Sequence, residues 1–231
     1  MECNHNKDCN NKDTTCVSRV PIFNGLNWDE TMEVANITEH MKFRKGEVIF
    51  LDGDRLDKLY IINEGRVKIY KISEDGKEQI IRILEPGDFM GELSLFKQTP
   101  SNSNAEALEA TIVCVIEGEK IKDILYKNPG ISIKITEELS NRLAKADNLI
   151  ERLVLHDVES RVAHILLSMI GPDGSVNLTI SKKDLASYIG MSQETLSRKL
   201  SHFQAMGLIK LVGQRQVSIL DKEGLENMAN Y

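Results

Sequence analysis

The sequence predicts an α+β chain in three parts: a compact antiparallel β-roll, one long helix, and a helical C-terminal region closed by a hairpin. Three observations carry this. Apolar residues alternate with period two between glycine-marked turns over residues 43–117, and residues 131–157 run without proline or glycine. After Ser181 the pattern becomes helix, short break, helix, hairpin.

At 231 residues the chain is long enough for two modest domains with their own cores. Hydrophobic residues make up 41% and charged residues 28%, an ordinary soluble composition. No long uncharged apolar run is present, and the stretch from Met1 to Asn11 is polar rather than a secretion signal. The expected location is therefore the cytoplasm, with no membrane partner.

Residues 1–19 form an irregular polar segment that holds three of the four cysteines, Cys3, Cys9 and Cys16; the fourth is Cys114. In a cytosolic chain such crowding points to metal binding or redox chemistry rather than structural disulfides. The β-roll is expected over residues 20–129. Gly46, Gly53, Gly65, Gly76, Gly87 and Gly91 fall at turn-like intervals, with Val48/Phe50, Val67/Ile69 and Ile81/Ile83 alternating between them. A helix from Glu117 to Asn128 then stops at Pro129.

The long helix is expected over residues 130–157. Leu139, Leu143, Ala146, Ile150 and Leu153 recur at spacings of four and three, flanked by Arg142, Lys145, Asp147, Glu151 and Arg152. A thin apolar stripe with charged flanks is the pattern of a two-stranded coiled coil, so a homodimer is expected along it.

Residues 158–231 form the last domain. A helix from Val158 to Met169 ends at Gly171-Pro172-Asp173-Gly174, and helices follow from Ser181 to Ile189 and from Ser192 to about Met206. Gly190-Met191 makes the tight break, and Gly207 suits a C-cap. Leu208–Val212 and Gln216–Leu220 then pair around Gly213-Gln214-Arg215. Helix, turn, helix and hairpin together are a winged helix-turn-helix.

The net charge is −6, yet six basic residues (Lys182, Lys183, Arg198, Lys199, Lys210, Arg215) between Ser181 and Ile219 face only Asp184 and Glu194. A basic end on an acidic body suits double-stranded DNA. With Ser192 as N-cap, Glu194, Ser197 and Arg198 share one face near the start of the second helix, where a recognition helix reads bases. Arg198 can donate twice to guanine, Glu194 can accept from cytosine, Ser197 can contact either partner, and Gln193 is a further candidate base contact. Lys182, Lys183, Lys199 and Arg215 are the candidate phosphate contacts.

From Val20 onward the chain resembles the Crp/Fnr family of transcription regulators. The likeness rests on Pro21-Ile22-Phe23, on Gly91-Glu92-Leu93-Ser94-Leu95-Phe96, on the long helix, and on Ser192-Gln193-Glu194-Thr195-Leu196-Ser197-Arg198. It implies that the roll is of the cyclic-nucleotide-binding type, that the protein is a regulator rather than an enzyme, and that RNA polymerase is a partner. No phosphate loop occurs, and the five histidines (His5, His40, His156, His164, His202) form no catalytic motif.

Within the family, the cyclic-nucleotide branch carries an Arg-Ser pair whose arginine neutralises the cyclic phosphate. Here the corresponding stretch, Pro100-Ser101-Asn102-Ser103-Asn104, has no cation, so cyclic AMP is not the expected ligand and Glu92 reads as a turn residue. Glu194, Ser197 and Arg198 match the Fnr branch, which implies a palindrome with TTGAT-like half-sites. That branch holds a [4Fe–4S] cluster on N-terminal cysteines plus one distant cysteine, which the resemblance places at Cys3, Cys9, Cys16 and Cys114. The spacing Cys-x₅-Cys-x₆-Cys is looser than the Fnr arrangement, and His5 or Asp8 could replace Cys3. Other readings stand beside it: a reversible Cys16–Cys114 disulfide, zinc on the same cysteines, haem, a small-molecule-responsive Crp-type regulator without a metal, or a Cys114 that only packs.

Overall fold

The computed structural model describes Val17 and residues 20–97, 99–155, 157–172, 174–213 and 215–229, with the backbone alone at 94–95 and 152–155. Its architecture is the expected one. A 3-10 turn at Pro21–Phe23 leads to α1 (Trp28–Asn36). A reciprocal capping box starts that helix: Glu30 N donates to Asn27 Oδ1 at 2.9 Å and Asn27 N donates to Glu30 Oε2 at 2.7 Å.

Two four-stranded antiparallel sheets make the roll. One runs β1 (Thr38–Phe43), β8 (Thr111–Glu117), β3 (Lys58–Glu64), β6 (Phe89–Met90); the other runs β2 (Val48–Phe50), β7 (Asn104–Ala107), β4 (Val67–Ile72), β5 (Glu78–Leu84). The interior between them holds Phe50, Ile62, Val67, Ile69, Leu84, Met90, Val113 and Val115. Leu59 and Ile61 of β3 and Cys114 and Ile116 of β8 instead join a second core with Val17, Val20, Phe23, Val34, Ile121, Ile131 and Ile135. Strands β3 and β8 are thus buried on both faces, so alternation is faint where the roll is most tightly held. In β5 the buried positions are Ile80 and Leu84, while Ile81 is exposed. The phase expected from Ile81/Ile83 is therefore corrected by one residue.

Gly91-Glu92 opens a short helix, α2 (Glu92–Lys97), rather than a plain turn. Gly91 has φ +92°, and a Cβ there would lie 2.5 Å from the Lys58 carbonyl oxygen, so only glycine passes this close to β3. The roll is followed by α3 (Gly118–Lys127) and α4 (Pro129–Leu155), in which Pro129 occupies the first turn and opens the helix.

Helix α4 serves two surfaces. Ile131 and Ile135 are buried in the second roll core and Leu139 packs partly against it, whereas Leu143 and Ile150 are 64% and 60% exposed. Leu139, expected to begin the dimer seam, thus continues the four-residue stripe of Ile131 and Ile135 into its own roll. Ala146 is exposed with Leu143 and Ile150, and the Leu153 side chain lies outside the described residues.

Beyond it lie α5 (Val158–Ser168), β9 (Ser175–Asn177), α6 (Lys182–Tyr188), α7 (Gln193–Ala205), β10 (Ile209–Val212), β11 (Gln216–Ile219) and α8 (Lys222–Ala229). Strand β9 adds a third strand to the wing in the order β10-β11-β9. By backbone proximity the chain divides into two compact units, one comprising residues up to Lys71 with Ile81–Arg142, the other Ile72–Ile80 and everything from Leu143 onward. No helix among the described residues is long and apolar enough to cross a membrane.

Candidate nucleic-acid interface and sensory residues

Serine caps set the helix-turn-helix. Ser181 Oγ accepts from Asp184 N and Ser192 Oγ accepts from Thr195 N, both at 3.1 Å, starting α6 and α7 one residue later. Leu185, Ala186 and Ile189 on one side of the break, and Leu196, Leu200 and Phe203 on the other, are buried. The break itself is held from α5. Arg161 Nη1 donates to the Ile189 carbonyl at 2.9 Å, and Gly190 takes φ +72°. Gln204 Oε1 accepts from Leu211 N at 2.8 Å, tying the wing to α7.

Burying Leu196, Leu200 and Phe203 turns the other face of α7 outward. Gln193, Glu194 and Arg198 are exposed there and Ser197 is half-buried. Lys183 and Arg215 are exposed and Lys182 is half-buried, on α6 and the wing. Lys199 is placed differently from the other candidate phosphate contacts, because its ammonium pairs with Glu159 of α5 at 2.6 Å. That partner lies forty residues away in sequence, and no local pattern announces it.

Cys114 lies on β8, opposite His40 of β1 and Ile61 of β3, and is 1% exposed. It shares its core with Val17 and Val20, so the chain immediately after Cys16 is packed into the same apolar cluster. Cys3, Cys9 and Cys16 themselves lie outside the described residues. Among the described residues no group of three or more His, Cys, Asp or Glu is arranged to hold a metal. Of the four candidate ligands only Cys114 lies among the described residues, and its thiol, buried in apolar surroundings beside Val17 and Val20, suits a soft metal ligand as well as plain packing.

A cavity of about 130 Å³ opens in the roll beside α2, bordered by Arg82, Glu92, Lys97, Ser101, Asn102 and Ser103. Glu92, read from sequence as a turn residue, is instead a buried ion-pair partner. Its Oε1 lies 3.3 Å from Arg142 Nη1 and 3.6 Å from Arg82 Nη2, with side-chain exposures of 5% for Glu92 and 10% for Arg142. Arg142, expected on the solvated flank of the helix, also places its guanidinium 4.0 Å over the Phe89 ring. Fifty residues separate Arg142 from Glu92, which hid this pair from sequence reasoning.

Two family models match the chain: a cyclic nucleotide-binding domain over residues 40–128 and a Crp-like helix-turn-helix domain over residues 160–228. The chain is 33% identical over 229 residues to the anaerobic regulatory protein of Haemophilus influenzae, covering 96% of this chain and 86% of that relative. It is 30% identical over 223 residues to the CRP-like cAMP-activated global transcriptional regulator of Mycobacterium tuberculosis, covering 92% and 98%. Among solved structures, FixK2 from Bradyrhizobium japonicum matches with TM-score 0.72 at 26% identity, over 83% of this chain and 97% of that one. An anaerobic regulator and a cAMP-activated one are almost equally similar, so overall identity does not assign the signal. The residues at the sites must.

Proposed function

Because the chain belongs to the Crp/Fnr family of transcription regulators, we propose that it binds a TTGAT-like palindrome as a homodimer and is switched by redox chemistry at its cysteines, through a [4Fe–4S] cluster. The observation that carries the DNA reading is the outward face of α7, where Gln193, Glu194, Ser197 and Arg198 stand clear of the buried Leu196, Leu200 and Phe203. Half-sites spaced about one helical turn apart would each take one α7 in the major groove. Lys182, Lys183 and Arg215 would contact phosphates, and RNA polymerase would be engaged from DNA. Lys182→Ala should weaken cognate and scrambled DNA alike and lower the salt slope of binding by about one. A loss confined to the cognate site would make Lys182 a base reader instead.

Dimerisation is assigned to the exposed part of α4, at Leu143, Ala146 and Ile150 and onward to Leu153. Leu143→Glu would set two carboxylates against each other across a two-fold seam. Sedimentation should then show a monomer that no longer retains the palindrome. A dimer of unchanged stability would move the interface elsewhere.

The redox reading rests on Val17 and Val20 sharing the core of Cys114. Cys9, Cys16 and Cys114 would hold the cluster, with Cys3 as fourth thiolate. When bound, such a group supplies a centre that oxygen dismantles. Val17 and Val20 pack beside Cys114 and exclude water from it, and a tail tied there is tied to the domain that carries α4. Protein purified without air is expected to be brown, with about four iron atoms per chain, and to bleach in air. The burial of Cys114 also suits a single thiol partner, which keeps a Cys16–Cys114 disulfide as the second reading. Colourless anaerobic protein with full DNA affinity, lost only on oxidation linking those two cysteines, would select it.

Cyclic AMP is expected to release no heat on titration and to leave thermal stability unchanged. The run Ser101–Asn104 offers no cation, and about 130 Å³ is well below the roughly 300 Å³ at which drug-sized sites begin. Micromolar binding would overturn this.

A further inference from the structure

The C-terminal compact unit has a small cavity of its own, about 140 Å³, bordered by the C-terminal part of α4, by α5 and by the end of α6. Leu149, Ile165, Tyr188 and Ile189 give it a largely apolar wall. The charges at that wall are of one sign. Arg161 and the exposed Lys145 border it, and none of the described residues around it is Asp or Glu. Arg161 is only half used by the fold. Its Nη1 donates to the Ile189 carbonyl at 2.9 Å, whereas its Nε is buried with no hydrogen-bond partner among the described residues. Burying a charged donor without an acceptor is costly, and an apolar wall offers no compensation. Nε and Nη2 together form the edge of a guanidinium that takes a carboxylate in two parallel hydrogen bonds, and the bond to Ile189 leaves that edge open.

We infer that this cavity is a binding site for a small aromatic carboxylate of about benzoate's size. Its carboxylate pairs with the Nε edge of Arg161, and its ring packs against Leu149, Ile165 and Ile189. An apolar cavity of roughly 150 Å³ takes a benzene ring. The cavity here, about 140 Å³, therefore suits a single ring and is too small for a nucleotide. A carboxylate supplies both the acceptor that Nε lacks and the charge that Arg161 and Lys145 leave unneutralised at the site. The described residues that border the site run from Lys145 to Ile189, apart from the roll and from Cys114. Because Arg161 also holds the break ahead of α7, the site is a small-molecule input to the helix-turn-helix.

The test is isothermal titration of the full chain, kept without air, with sodium benzoate against sodium chloride at equal ionic strength. Saturable binding at one site per chain is expected. Benzyl alcohol, which keeps the ring without the charge, should bind at least tenfold more weakly, and so should acetate, which keeps the charge without the ring. Arg161→Lys retains the charge but loses the two-pronged donor, and should weaken benzoate about tenfold. Two further variants spare the bond from Arg161 to Ile189. Lys145→Gln, an exposed change, should weaken benzoate about threefold, and Leu149→Trp, which fills the cavity from α4, should abolish binding while the protein melts as the parent does. No saturable benzoate binding, benzyl alcohol binding as tightly as benzoate, or full affinity in folded Leu149→Trp would overturn the site.

Discussion

Arg198→Ala is expected to cost about 1–3 kcal/mol per half-site. Over two half-sites this lowers affinity for the palindrome from roughly thirtyfold to more than ten-thousandfold. The magnitude follows from what is lost. A guanidinium on an exposed helix face donates two hydrogen bonds to guanine O6 and N7, and alanine leaves both acceptors unpaired in a partly dehydrated groove. Folding should not suffer, because Arg198 is exposed while Leu196 and Leu200 carry the packing of α7. Cognate and scrambled duplexes compared at one salt concentration give the check. Discrimination that survives the change would remove Arg198 from the reading face.

If the proposed cluster is present, replacing Cys114 should have the second large effect, loss of iron together with high-affinity DNA binding. Cys114 lies in an apolar core, so serine brings a second cost by burying a hydroxyl among Ile61, Ile116, Val17 and Val20, about 1–3 kcal/mol. Cys114→Ala separates the two effects, since it removes the sulfur without adding a polar group. Both variants should be colourless when prepared without air, and the alanine variant should melt closer to the parent. Iron retained in Cys114→Ala, at four per chain, would exclude Cys114 from the ligand set. Iron absent from the parent under the same conditions would favour the disulfide.

These expectations draw on residues whose roles were legible to different degrees. The winged helix-turn-helix was readable almost to the residue. Ser181 and Ser192 are caps that bond within three residues, and Gly190 and Gly207 adopt positive φ where the breaks require it. Such features are local: backbone conformation and short-range hydrogen bonds are dictated by residues a few positions apart. The outward face of α7 followed, because helical periodicity separates Gln193, Glu194 and Arg198 from the buried stripe.

Features decided by long-range contact were not readable. Strands β3 and β8 lost their alternation because each is covered on both faces, and β9, α1, α2 and α8 are too short to give a periodic signal of their own. The stripe on α4 looked like one seam from Leu139 to Leu153. Only packing shows that Leu139 turns toward the roll while Leu143 and Ile150 remain outside. Charge partners were hidden in the same way, with Lys199 paired to Glu159 and Arg142 to Glu92 across forty and fifty residues. By itself, then, the sequence determined the order of roll, long helix and helix-turn-helix, the caps and the outward face of α7, all consequences of short-range geometry. The tertiary structure alone decided which charges are spent on each other and which apolar faces remain open. Those outcomes depend on which distant residues the folded chain brings within a few ångströms, and no local pattern encodes that distance.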